Sequence, residues 1–170
     1  MEAPEGPGVG MLVLEQDPPR ALSAIREAEG RLLEGKAKRE LWRVRGNVRN
    51  GEHVILARDA LGRVVGAAAH VGHMRHEGFL ARHGAQGSRW VINMASTGEV
   101  KGTGRALLAA VAQIALANNE DLALAALDGS ARDFFLAQGG REEVDARGGR
   151  SMHWEGEALR RLAGAAGVAK

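Results

Sequence analysis

The sequence contains no cysteine and no tyrosine, and each absence excludes a class of chemistry. Without cysteine, the 170 residues hold no disulfide, no thiolate metal site and no cysteine nucleophile. Without tyrosine, no phenol is available as a general acid anywhere in the chain. Proton transfer must therefore rely on His, Glu, Asp, Ser, Thr, water or the backbone.

The sequence also lacks a large net charge and long apolar runs. The formal net charge is +2 although the pI is about 9.5, so a nucleic-acid partner is allowed but not indicated. No apolar run approaches the ~20 residues that span a bilayer, and the N-terminus lacks a basic segment followed by a hydrophobic core. We expect a soluble, cytoplasmic protein without a membrane partner.

The length of 170 residues is most simply that of one domain with a sizeable core. Residues 1–10 hold two prolines and three glycines, which predicts a flexible leader. The main domain is predicted over residues 11–155, and residues 156–170 are predicted to be a tail or a short helix.

Residues 89–119 form the stretch around which the chain is organised. A short apolar run of strand character leads into a glycine-rich turn and then into a helix predicted to begin near Arg105. The first turn of a helix has N–H groups without intrahelical partners and the positive end of the peptide dipole, which suits an anion. Gly102 and Gly104 permit close approach to the main chain, and Lys101 adds a cation beside Arg105. The pattern alone fits a phosphate-binding loop or a simple corner.

The remaining apolar and turn patterns predict an ordered series of elements. The series is a strand at 11–14, one or two helices over 21–33, a hairpin of 53–58 with 63–71, a strand at 90–95, a helix over 105–118, a strand at 122–127, a helix from near residue 131 and a hairpin of 143–146 with 151–154.

Two segments outside the organising stretch permit a functional interpretation. Residues 36–50 are basic and hold Trp42, which fits a polyanion or acidic-acceptor site; we favour a solvated helix face with Trp42 packed on the core. Residues 72–88 carry His73, His76 and Glu77, which are candidates for a general base or for acceptor binding. A metal site there is disfavoured. Histidines three residues apart lie on one face only in a helix, and this stretch lacks a helical pattern.

Residues 11–155 resemble the GNAT superfamily of acyl-coenzyme A-dependent acetyltransferases. The coenzyme A motif of that family, Gln or Arg, two variable residues, Gly, a variable residue, and Gly or Ala, is similar to Glu99-Val100-Lys101-Gly102-Thr103-Gly104. The segment 128–139 is similar to the family's second motif, in which an Asn precedes a helix with an aromatic pair. The resemblance implies an α/β fold with a mixed, mostly antiparallel central sheet flanked by helices.

The resemblance also implies a site for acetyl-CoA as cosubstrate. Main-chain groups of Asn93 to Ala95 would bind the pantetheine arm and polarise the thioester carbonyl, and the amides of Val100 to Arg105 would cradle the pyrophosphate. The arm would enter a splayed opening between the strands at 90–95 and 122–127. The full implied set is Asn93, Met94, Ala95, Glu99, Val100, Lys101, Gly102, Thr103, Gly104, Arg105, Asp128 and Phe135.

Three positions depart from the family pattern. Glu99 replaces a cation or amide, Asp128 replaces an amide, and Phe135 stands where many members have the tyrosine that protonates the departing thiolate. The expected function is transfer of an acetyl group to a primary amine of a small molecule or protein, with His73, Glu77 and Ser130 as candidate catalytic residues. The alternative is a catalytically degenerate module that binds acyl-CoA or a protein partner. A homodimer is expected from the resemblance only.

Overall fold

The computed structural model describes residues 11–15, 17–72, 88–125, 129–144 and 148–166, and this part of the chain holds seven strands and five helices. The strands are β1 Met11–Glu15, β2 His53–Arg58, β3 Val64–Val71, β4 Ser88–Ser96, β5 Asp121–Ala125, β6 Arg141–Val144 and β7 Arg150–Trp154. The helices are α1 Pro18–Gly30, α2 Lys36–Arg49, α3 Thr103–Ala117, α4 Gly129–Ala137 and α5 Gly156–Ala166. The predicted leader lies outside the described residues.

The strands form one mixed, mostly antiparallel sheet in the order β1-β2-β3-β4-β5-β7-β6. The pairs β1–β2, β5–β7 and β6–β7 are antiparallel, whereas β4 and β5 are parallel. The register pairs residues 88–91 of β4 with residues 121–124 of β5, and β4 continues beyond it to Ser96. The predicted fold class is confirmed.

The described residues divide into two compact units. Unit 1 holds residues 11–15, 17–69 and 93–107, and unit 2 holds residues 70–72, 88–92, 108–125, 129–144 and 148–166. In unit 1, apolar side chains of α1, α2, β2 and β3 form one buried cluster, which includes Ile25, Leu41, Val44 and Leu56. This cluster fixes α1 and α2 against the strands because burial of each such side chain contributes roughly 1.5–3 kcal/mol.

The start of unit 1 shows how local sequence sets the element boundaries. Pro18 and Pro19 occupy the first turn of α1, where a missing N–H costs nothing and the fixed φ suits a helix. Residues 31–35 then separate α1 from α2, so the stretch 21–33, predicted to hold one or two helices, contains one helix, and α2 falls in the basic segment 36–50.

The hairpin between β2 and β3 is present as predicted. Oδ1 of Asp59 accepts the N–H groups of Leu61 and Arg63, each at 2.9 Å, and Gly62 takes a φ of 80°. Glycine adopts this left-handed conformation without the strain that a Cβ would introduce. The turn thereby fixes the register of β3, on which the glycine-rich loop rests.

Unit 2 has its own aromatic core. Trp90 and Trp154 are completely buried, and the ring of Phe135 packs edge-on against Trp154 with a centroid distance of 6.0 Å. Gly140 lies so close to this tryptophan that a Cβ there would meet the indole at 2.8 Å. Bulk at residue 140 is therefore excluded by the packing of the terminal hairpin.

Several predicted boundaries shift in the structure. α3 begins at Thr103 rather than near residue 105, and the strand predicted at 143–146 is observed as Arg141–Val144. β5 ends at Ala125, and the last two residues of its predicted range lie outside the described part of the chain. Within the described residues, no helix has the length and apolarity needed to cross a membrane.

Candidate functional site

The loop from β4 to α3 has a conformation that depends on glycine. Gly98 and Gly102 have φ values of 81° and 84°, in the region that side chains disfavour. The hydroxyl of Thr103 donates to the carbonyl of Val100 at 2.7 Å and closes the loop on itself. The loop is therefore fixed by its own backbone and by one buried side chain at the start of α3.

Three consecutive residues of β3 support this loop from within unit 1. The carbonyl of Val65 accepts the N–H of Thr97 at 2.9 Å, and the carbonyl of Val64 accepts a guanidinium hydrogen of Arg31. A Cβ on Gly66 would lie 2.5 Å from Cγ2 of Thr103 and 2.9 Å from the carbonyl oxygen of Ala95. Only glycine at residue 66 allows the start of α3 to approach the strand this closely.

The loop and the first turn of α3 present main-chain donors that the fold does not use. The first helical hydrogen bond runs from the N–H of Ala106 to the carbonyl of Gly102 at 3.0 Å. Among the described residues, no main-chain or side-chain acceptor is bonded to the N–H groups of Val100 through Arg105. These donors and the positive end of the helix dipole suit a phosphate group.

The charges around the loop also favour an anion. Lys101 and Arg105 are exposed, and neither forms an ion pair in the part of the chain that the structure describes. The acidic side chain of Glu99 is engaged elsewhere, because Nη2 of Arg31 donates to its Oε1 at 3.1 Å. That hydrogen bond, with a second from Thr97, holds the pKa of the Glu99 carboxyl below its usual range.

The end of β4 lies directly before the loop and belongs to the same unit. Asn93 and Met94 are partly exposed, whereas Ala95 is buried in the core. The side-chain amide of Asn93 donates to Oδ1 of Asn47 in α2 at 2.5 Å. This contact ties α2 to the strand segment whose main chain is predicted to bind pantetheine.

The remaining predicted site residues belong to unit 2 or lie outside the described residues. Phe135 belongs to unit 2, is 8% exposed and packs against Phe134 and Trp154. His73, Glu77, Asp128 and the side chain of Ser130 lie outside the described residues. No group of three or more His, Asp or Glu side chains in the described part of the chain is arranged to hold a metal ion.

Sequence reasoning missed three residues that shape the site. Arg31, Asn47 and Gly66 carry no local motif, and the contact between Arg31 and Glu99 joins residues 68 positions apart. The one signal available was Glu99 itself, since an acidic residue in an anion-binding loop requires a neutralising partner. The prediction that Trp42 packs on the core was wrong, because this residue is 61% exposed.

Comparison with known proteins identifies the fold. No protein-family model and no curated protein matches the chain. Among solved structures, a mutant of the toxin AtaT bound to the C-terminus of the antitoxin AtaR and to acetyl-CoA has a TM-score of 0.61 at 15% identity, covering 89% of this chain and 96% of the other.

Two further solved structures are similar. A GNAT-family acetyltransferase from Listeria monocytogenes 4b F2365 has a TM-score of 0.59 at 11% identity, covering 85% of this chain and 94% of the other. A KacTA–DNA complex has a TM-score of 0.56 at 16% identity, covering 89% of this chain and 98% of the other. The chain therefore has the fold of the GNAT acetyltransferases, and the predicted resemblance is confirmed at the level of the fold.

Proposed function

We propose that this protein is an acetyl-CoA-dependent N-acetyltransferase that moves an acetyl group to a primary amine of a small molecule or protein. The observation that carries the proposal is the row of unengaged N–H groups from Val100 to Arg105, held on β3 and flanked by two exposed cations. Similar folds are solved with acetyl-CoA bound, as for AtaT. A domain with a purely structural role has no need of such an anion cradle.

The pyrophosphate of the cosubstrate would bind at this loop. The main-chain N–H groups of the loop donate to phosphate oxygens, and Lys101 and Arg105 supply positive charge. Arg31 removes the electrostatic penalty of Glu99 by holding its carboxylate. The family's cation or amide at the first motif position is thus replaced by a paired acid.

The thioester would lie along the end of β4. The β5 register ends at the partner of Val91, so the main chain of Asn93 to Ala95 has no β5 partner within the described residues. This part of β4 is proposed to hydrogen-bond the pantetheine arm and to polarise the thioester carbonyl. The amine, once deprotonated, attacks the carbonyl carbon; the C–S bond then breaks, and the thiolate takes up a proton.

Two proton transfers complete the reaction. His73 or Glu77 is proposed as the base on sequence grounds, acting directly or through water. Ser130 or water is proposed to protonate the thiolate, because Phe135 offers no proton. Much of the acceleration would come from holding amine and thioester together in one ternary complex.

A catalytically degenerate binding module is the second candidate. The observation that favours it is Phe135, which is buried against aromatic rings and supplies no acid. The two candidates differ in turnover. A degenerate module that binds acyl-CoA shares cosubstrate binding with the enzyme, whereas one that binds only a protein partner does not.

Release of free thiol from acetyl-CoA in the presence of an amine panel separates them. The acetyltransferase predicts amine-dependent thiol release that is lost in the Gly104→Glu variant and kept in Gly164→Glu. Gly164 is an exposed position in α5 with open space around it, so this control adds the same side chain away from the loop. Saturable acetyl-CoA binding without thiol release for any amine would support the degenerate module.

A further inference from the structure

One face of α2 is both basic and aromatic. Trp42 exposes 61% of its surface, whereas Trp90 and Trp154 are completely buried. It lies on the exposed side of α2, away from Leu41, Val44 and Val48, which are in the core. One exposed apolar side chain is common on a protein surface and does not by itself indicate a partner. Beside cations that form no ion pair with the described residues, however, an exposed indole offers a flat stacking surface.

Arginines lie on the same face of the helix. At 3.6 residues per turn, Arg39 and Arg49 fall on the side of α2 that carries Trp42, and both are exposed. Neither forms an ion pair with any residue that the structure describes. The nearby acids are already engaged, since Glu27 pairs with Arg31 and Glu34 pairs with Lys38 at 3.0 Å each.

The face continues into a groove between α1 and α2. The groove has a volume of about 350 Å³ and is lined by Pro19, Leu22, Ser23, Arg26 and Arg49. An ion pair between Arg45 of α2 and the buried Glu29 of α1 joins the two helices. Two guanidinium groups and a hydroxyl thus line the groove over an apolar floor, and no acidic residue is among its lining side chains.

We propose that this surface, Arg39, Trp42 and Arg49 of α2 with Arg26 of α1, binds a single-stranded segment of nucleic acid. A base would stack on the indole of Trp42, and the arginines would contact the flanking phosphates. The inference does not depend on acetyl transfer. The small net charge of the whole chain is no obstacle, because the uncompensated positive charge is local.

The combination of groups favours an unpaired nucleic acid over the other polyanions. An acidic peptide would satisfy the guanidinium groups and leave the indole without a stacking partner. Paired bases in a duplex are already stacked, and exposing one costs a few kcal/mol. A single strand offers phosphates and free base faces together, whether its sugar is ribose or deoxyribose.

The test is fluorescence anisotropy with labelled single strands of uridylate, adenylate and their DNA equivalents, titrated at several salt concentrations. We expect affinity to fall with salt, and we expect Arg39→Ala and Arg49→Ala each to lower the salt slope by about one. Trp42→Ala should weaken binding at least about fivefold, and Trp42→Phe should restore most of the loss. Arg161→Ala, at an exposed arginine of α5, should bind as the wild type.

Intrinsic fluorescence adds a second readout, since Trp42 is the exposed one of the three tryptophans. Stacking predicts that a single strand quenches the emission of the wild type and leaves that of Trp42→Phe unchanged. The proposal is overturned by no binding, by tighter binding of a duplex, by tighter binding of oligoglutamate, or by wild-type affinity in Trp42→Ala.

Discussion

Arg31 controls the charge of the candidate phosphate loop. Its guanidinium contacts Glu99 at 3.1 Å and the carbonyl of Val64, and its side chain is 20% exposed. Arg31→Ala leaves the Glu99 carboxylate free to repel a phosphate. We expect the Kd for acetyl-CoA to rise about three- to tenfold, equivalent to about 1 kcal/mol.

The matched variant is Glu99→Gln, which removes the charge and supplies an amide in its place. In calorimetric titrations, the double variant Arg31→Ala/Glu99→Gln should bind acetyl-CoA more tightly than Arg31→Ala alone. Equal affinities for these two variants would show that Arg31 acts on the loop by some route other than neutralising Glu99.

The substitution Phe135→Tyr tests whether the absence of a phenol at this position limits the reaction. The ring is 8% exposed, so the added hydroxyl of Phe135→Tyr must find space beside Trp154. We expect kcat for amine-dependent thiol release to stay within about twofold of the wild type, because a packed ring supplies no proton to the thiolate. An increase of tenfold or more would show that proton donation at this position limits turnover.

At the scale of elements, β3 positions the loop through Gly66. A methyl group there would meet Cγ2 of Thr103 at 2.5 Å and the carbonyl oxygen of Ala95 at 2.9 Å. Gly66→Ala should lower the free energy of unfolding by about 1–3 kcal/mol, as expected for overpacking, and should weaken acetyl-CoA binding. Chemical denaturation and calorimetry measure the two effects.

Thr103→Ser provides the compensating change, because serine lacks Cγ2 and keeps the hydroxyl that donates to Val100. The double variant should recover part of the lost stability. A loss that is the same with and without Thr103→Ser would assign the clash to the carbonyl of Ala95 or to Leu107 rather than to the threonine methyl group.

Elements with a local signal were predicted correctly from the sequence. The hairpin turn at residues 59–62, the glycine-rich loop and the helix after it follow from residue types that are close together in the chain. Arg31 and Gly66 were not predictable, because their roles arise from contacts with Glu99 and Thr103 that only the folded chain brings together. The position of Trp42 was predicted wrongly because hydrophobicity favours burial and does not specify which face of α2 the indole occupies.

At the scale of the whole molecule, stability should depend on pH through His153. Burial lowers the pKa of this imidazole, although the Glu143 carboxylate at 3.3 Å opposes the shift. Asp121, Arg141 and Glu155 also act on the ring, and the Ser151 hydroxyl lies 2.7 Å from Nε2. The neutral imidazole is favoured in the folded protein. The imidazole of the unfolded chain, with a pKa of about 6.5, therefore takes up a proton at a higher pH than the folded one does.

The direction of the pH dependence follows from the difference in proton binding between the folded and unfolded states. A depressed pKa in the folded state gives stability that is fully present above the unfolded pKa and is lost as pH falls towards the folded pKa. Thermal unfolding should show Tm falling between about pH 7 and pH 5, with a shallower slope in His153→Gln. An equal slope in both proteins would assign the acid sensitivity to other groups.

The central claim is that the loop from residue 97 to residue 105 binds the pyrophosphate of acetyl-CoA. Its most direct test is isothermal titration calorimetry of acetyl-CoA into the wild type, Gly104→Glu and Gly164→Glu. Saturable binding by the wild type and by Gly164→Glu, with no measurable binding by a folded Gly104→Glu variant, is the predicted result. Binding by Gly104→Glu with wild-type affinity, or no binding by the wild type, would contradict the assignment.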